Sequence, residues 1–194
     1  MRRTVSPLQA ISGKLWTSCI KEHSESRGLT FIGAKRLARA LGSGRARVAD
    51  FVKERGLKVQ IVEFADTTRN SALAAKALGC SVAEIAKSVV FSAGQGIVVV
   101  ISGDKRVDTT KLSRLVGGET IAASAGEVKL ITGYPAGGVP PFPHNDGVRV
   151  LLDSSLARFR EVWAAGGLPN SVMKLATADL VATIGAPFVE VAQG

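Results

Sequence analysis

The sequence predicts an α/β fold: one compact domain with a mixed sheet and helices packed around it. Three observations carry this. Helix-like and strand-like stretches alternate from about residue 45 onward. Two short apolar runs, SVVF (88–91) and GIVVVIS (96–102), are joined through SAGQG, which is turn chemistry and makes a hairpin. A hairpin of this kind argues against a purely parallel sheet. The chain is also 46% hydrophobic over 194 residues, enough to bury one sizeable core.

The elements follow in order. GRARVADFVKERGLK puts Val48, Phe51 and Val52 on one helical face, with Gly56 as the stop. KVQIVEF reads as a strand. DTTRN (66–70) is polar turn material, and Asn70 caps an alanine-rich helix that ends near Gly79. Ser81 and Glu84 match a capping box, which predicts a short helix carrying Lys87. After the hairpin, Asp108 caps a helix through TTKLSRLVG. Ser124 and Glu127 form a second capping box, with that helix stopping near Gly133. Four of the seven prolines fall within 135–143, so YPAGGVPPFPHNDG is a stiff, shaped loop. VRVLLD is a strand. SSLARFREVWAAGG reads as a helix with Leu156, Phe159 and Val162 inward. TADLVAT is a short helix and PFVEVA a last strand.

The net charge of +9 is unevenly spread. Residues 1–40 hold eight Lys and Arg against two Glu, so most of the basic excess lies there. Residues 1–44 are expected to be a basic, partly disordered extension, and 45–194 the folded domain. The extension suits contact with nucleic acid or another acidic surface. Its first 20 residues lack acidic side chains, which also fits an organelle presequence. No run approaches the roughly 18 apolar residues of a membrane span. Two distant cysteines and two histidines argue against a disulfide framework or a His-rich metal centre, and a reducing, cytoplasmic setting fits.

The common catalytic motifs are missing. There is no GxxxxGK[ST] phosphate loop, no GxGxxG and no GxSxG. A triad through His144 has no supporting spacing. Three features remain. From spacing alone, Lys87 is a helix-end lysine that favours the dipole. GGVPP (137–141) offers open amides on a rigid loop, suited to a carbonyl, hydroxyl or phosphate, or else is a plain surface turn. Asp153 ends an apolar strand, where an N-cap is the ordinary role.

Taken in order, GCSVAEIAKSVVF, SGDKRVD, ASAGEVKLITGYPAGGVPPFPH, VLLDSSL and VWAAGG resemble the YbaK/ProX family. Its members are trans-editing aminoacyl-tRNA deacylases and the editing domain of prolyl-tRNA synthetase. The resemblance runs from about Arg45 to the C-terminus. It implies a barrel-like mixed sheet and hydrolysis, in trans, of the ester on a mischarged tRNA. A small non-cognate amino acid on tRNA for proline is the expected substrate. It implies Lys87 as the functional lysine, and Gly137, Gly138, Pro141 and Asp153 as substrate contacts. Thr68, Arg69 and His144 are weaker candidates for the same role. Pro143 stands where many relatives have glycine before the loop histidine. The family needs no metal or other cofactor. The implied partners are the acceptor end and terminal adenosine of the aminoacyl-tRNA, with prolyl-tRNA synthetase as a further candidate. The competing expectation is a non-catalytic tRNA-binding or synthetase-associated module of the same fold.

Overall fold

The computed structural model describes residues 43–65 and 70–194. All but the last two residues of the expected extension lie outside that range, as do Thr68 and Arg69. Ser43 opens the described chain as an N-cap, its Oγ accepting the Ala46 N–H. Helix α1 (Gly44–Glu54) buries Val48 and Val52. Strand β1 (Gln60–Glu63) follows. Helix α2 (Ser71–Leu78) is capped by the Asn70 side chain and ends on left-handed Gly79, as expected.

Lys87 is not on a helix. Glu84 reaches back to accept from the Ser81 N–H and Oγ, but this supports only a single 3₁₀ turn, Val82–Glu84. Strand β2 (Ile85–Ser92) begins at once. The β-branched Val89 and Val90 then alternate between two apolar clusters, and a strand satisfies both where a helix would satisfy one. Strand β3 (Gly96–Ser102) pairs antiparallel with β2, setting Lys87 opposite Ile101. Residues 97–101 are completely buried. Val98 and Val100 enter one cluster, while Ile97, Val99 and Ile101 enter the other. The unbroken run IVVVI is therefore a strand covered on both faces.

Helix α3 (Thr109–Val116) starts at the predicted Asp108 cap. Strand β4 (Ile121–Ala122) is a short addition. Helix α4 (Ala125–Thr132) starts at Ser124 and stops at Gly133. Strand β5 (Arg149–Asp153) matches VRVLLD. The next stretch corrects an expectation. Residues 154–166 are not a helix but a 3₁₀ turn, Ser154–Arg158, followed by strand β6 (Glu161–Ala165). Val162 and Ala164 are buried with Trp163 between them less so, a two-residue period. Strand β7 (Ser171–Ala176), absent from the sequence reading, pairs with both β6 and β1. Helix α5 (Thr177–Ile184) and strand β8 (Phe188–Val189) complete the chain.

The strands form one mixed sheet in the order β1-β7-β6-β2-β3-β5-β8, with β4 added on β2. Pairings β2/β6, β3/β5 and β5/β8 are parallel and the rest antiparallel. One edge of β2 is fully paired with β3. Its other edge is shared: Ile85 and Ala86 pair with β6, whereas Phe91 and Ser92 pair with β4. Lys87, Ser88, Val89 and Val90 sit in the interval between those partners, with the Val90 carbonyl accepting the Ala123 N–H at 3.0 Å. Among the described residues, no helix is long and apolar enough to cross a membrane.

Candidate active site

A cavity of about 670 Å³ opens at this interval. Its walls include Asn70 and Ser71 at the start of α2, Lys87 and Ser88 of β2, Gly137 and Val139 of the proline-rich loop, and Trp163 of β6. The turn after β3 adds Gly103, Asp104, Lys105 and Arg106.

Lys87 is half-buried. Its Nζ donates to the Gly103 carbonyl oxygen at 3.1 Å and to that of Lys105. An ammonium has three donors, so one is left for a ligand. Burial, with Arg106 nearby, holds its pKa below the ordinary lysine value, while Asp104 opposes that shift. Three cationic side chains and one carboxylate therefore face the cavity.

The turn that holds Lys87 is itself pinned. Ser102, fully buried, lies 2.6 Å from Asp104 Oδ1. Arg158 Nη2 donates to Asp104 Oδ1 at 2.9 Å and to Ser102 Oγ at 2.9 Å. The Ser102 and Arg158 hydrogen bonds lower the Asp104 pKa. Ser88 differs from these groups. Its Oγ is buried without a hydrogen-bond partner among the described residues, although Ser88 lines the cavity. A bound molecule can supply the missing partner.

The expected site residues divide. Lys87 and Gly137 meet at this cavity. Gly137 has φ of 82°, a left-handed turn position that suits glycine. Gly138 packs against the Leu168 backbone, where an added Cβ would lie 2.7 Å from the carbonyl carbon. Its N–H is taken by the Pro135 carbonyl at 2.9 Å, so that amide is committed to the turn rather than open. Pro141 and His144 line a second cavity, of about 370 Å³, with Asn145 and Thr183. The Phe142–Pro143 peptide is cis. His144 sits edge-on to Tyr134, ring centres 6.1 Å apart. Neither of its ring nitrogens has a well-formed hydrogen bond among the described residues. Burial pushes its pKa down to about 4, against a weak opposing pull from the Pro141 carbonyl.

Asp153 lines neither cavity. It is fully buried. Its Oδ1 accepts the Ser155 N–H at 2.9 Å, and its Oδ2 accepts those of Val191 and Ala192 at 2.9 and 3.0 Å. The N-cap expectation is met, with a tie to the segment after β8 added. Sequence reasoning missed Ser88, Asp104, Arg106 and Trp163 as lining the cavity with Lys87, and Arg158 as the partner of Asp104. Ser88 and the SGDKRVD segment were visible as polar interruptions beside apolar runs.

Comparison with known proteins agrees with this architecture. Residues 65–183 match the family model of the aminoacyl-tRNA editing domain. The uncharacterized Bacillus subtilis protein YwhH is 36% identical over 123 residues, 62% of this chain and 78% of YwhH. The Escherichia coli multifunctional Ser/Thr-tRNA deacylase ProXp-y is 30% identical over 87 residues, 44% of this chain. The match spans about half of that relative's length, 52%. A solved structure, whose proposed role is trans-editing for prolyl tRNA synthetase, is 37% identical with a TM-score of 0.73. It covers 78% of this chain and 98% of its own. With a family model spanning most of the folded domain, a mixed sheet of matching design and a lysine-centred cavity, the chain belongs to the aminoacyl-tRNA editing domain family.

Proposed function

We propose that this protein is a trans-acting deacylase. It hydrolyses the ester that joins a non-cognate amino acid to the terminal adenosine of a tRNA. The expected substrate is tRNA for proline carrying a small side chain. One observation carries the reading: Lys87 is held by two carbonyls at a cavity wall, with a hydrogen-bond donor to spare, close to Gly137.

The chemistry is ester hydrolysis. Water attacks the carbonyl carbon and the bond to the ribose oxygen breaks. The attacking water's proton ends on that ribose oxygen, which leaves as a hydroxyl. Negative charge builds on the carbonyl oxygen during attack, and a fixed cation or donor lowers that barrier. Lys87 supplies both. Lys105 and Arg106 suit the phosphates at the end of the tRNA strand, as phosphate contacts position without reading sequence. Editing has a physical rationale, because a pocket separates side chains differing by one methylene by only about 1–3 kcal/mol. Ser88 is a candidate polar contact to the amino acid.

The test is a panel of mischarged tRNAs offered to the protein and to Lys87→Ala. Hydrolysis that depends on Lys87 supports the reading. Binding of tRNA without turnover, indifferent to Lys87, would replace it with a non-catalytic tRNA-binding module.

A further inference from the structure

We propose that Asp153, Arg158 and Asp104 form a positioning chain that fixes the two carbonyls gripping the Lys87 ammonium. This deepens the proposed function, because it rests on Lys87 being the working group.

The chain can be followed bond by bond. Asp153 caps the 3₁₀ turn Ser154–Arg158 through the Ser155 N–H. Within that turn, Arg158 Nε donates to the Ser155 carbonyl at 2.8 Å, which sets the direction of the guanidinium. Ser155 Oγ accepts the Ser102 N–H at 3.3 Å, joining the turn to the end of β3. Arg158 then grips Asp104 with both terminal nitrogens, and Ser102 Oγ with one of them. Asp104 lies between Gly103 and Lys105, whose carbonyls accept from Lys87. The Lys105 N–H closes the turn on the Ser102 carbonyl at 3.0 Å. Pinning the Asp104 side chain therefore orients the carbonyl on each side of it.

This gives Asp153 a role without substrate contact. Its two carboxylate oxygens are consumed by three backbone N–H groups, and no solvent or ligand reaches it. The aspartate at the strand end acts on the site through the turn it caps.

The charged groups facing Lys87 across the cavity are Asp104, Lys105 and Arg106, all from the turn after β3. The walls from α2, β6 and the proline-rich loop add none. The informative variants are therefore those that leave the charges at the cavity unchanged. Arg158→Lys keeps the charge and an ion pair with Asp104, but a single ammonium nitrogen lacks the planar fork whose separate nitrogens reach the Ser155 carbonyl on one side and Asp104 and Ser102 on the other. Asp153→Asn acts from the far end of the chain, placing an amide donor against backbone donors.

The readout is the titration of the Lys87 side chain by NMR, assigned by its loss in Lys87→Ala and followed alongside kcat, KM and melting temperature. Carbonyl hydrogen bonds favour the charged amine, so loosening them moves the Lys87 titration to lower pH. We expect that shift in both variants. We also expect kcat to fall about 10- to 100-fold with KM nearly unchanged, as for a misplaced catalytic group. A Lys87 titration that stays in place or moves up in Arg158→Lys overturns the positioning chain, whatever happens to melting temperature. Arg158 is 44% exposed, so this variant decides the matter even where Asp153→Asn does not fold. Failure of the proposed function is a separate result: Lys87→Ala would then deacylate as fast as the unmodified protein.

Discussion

The two cavities each hold a basic side chain withdrawn from water, and they treat it in opposite ways. Lys87 is given acceptors: two carbonyl oxygens and, nearby, the Asp104 carboxylate. His144 has no well-formed hydrogen bond among the described residues and an aromatic edge beside it. Both pKa values fall on burial, but Lys87 has two carbonyls and the Asp104 carboxylate to favour its charged form, whereas His144 has only the weak pull of the Pro141 carbonyl. A cation that stays charged in a recess can act on a substrate. An imidazole pushed to about 4 is neutral at physiological pH and serves as packing. Burial alone does not mark a site; burial with supplied partners does.

The largest effect expected from breaking this contrast is at Lys87. Lys87→Ala removes the ammonium held at the cavity wall by two main-chain carbonyls, and deacylation should fall about 10²- to 10³-fold, the scale for losing a charge-stabilising donor. Single-turnover hydrolysis of a mischarged tRNA measures it. The activity should also decline at alkaline pH as Lys87 loses its proton, at a pH below the ordinary lysine value of 10.5.

Next comes the loop that touches both cavities, with Gly137 in one wall and Pro141 in the other. Gly138→Ala forces a Cβ against the Leu168 backbone. A cost of about 1–3 kcal/mol is expected for such overpacking, read as a lowered melting temperature together with reduced deacylation.

His144 should show itself in stability rather than activity. Its folded pKa of about 4 lies below the ordinary 6.5, so the folded state resists protonation. The stability it allows is complete above about pH 6.5 and is lost as pH falls toward 4. His144→Phe should flatten the denaturation midpoint across that window. An unchanged slope would mean that His144 is better solvated than its surroundings indicate.

The smallest effect is at Ser88. Ser88→Ala deletes a hydroxyl that has no partner among the described residues, so the melting temperature should hold. If substrate supplies the partner, about 1 kcal/mol is lost, roughly a fivefold rise in KM.

Local chemistry was legible in the sequence. Asn70, Asp108 and Ser124 cap the helices expected of them, because capping needs only a few neighbouring residues. The hairpin was readable for the same reason. Two strands were not. Leu156, Phe159 and Val162 are spaced three apart, which imitates a helix face, but Leu156 belongs to a 3₁₀ turn and Val162 to a strand. What overrides the pattern is pairing with β7, about ten residues further on, and β7 itself has no strong alternation. Lys87 was placed on a helix because the Ser81–Glu84 cap is real, while its brevity is set by the sheet beyond it. The site was half legible. Of the residues the resemblance implies, Lys87 and Gly137 line one cavity while Asp153 does not, and Asp104 and Arg158 are 54 residues apart, so their pairing has no local signature.

The interval on β2 between β6 and β4 has a consequence for self-association. An unpaired stretch of strand is ordinarily a hazard, because it can template another chain's strand. Here it spans only Lys87 to Val90, bounded at both ends by strands already in place. That is shorter than the usual strand of about five or six residues, and Lys87 adds a charge of the kind that keeps exposed edges apart. A neighbouring molecule's strand cannot zip onto so short a stretch. The geometry that opens the cavity here also denies a neighbouring strand its template.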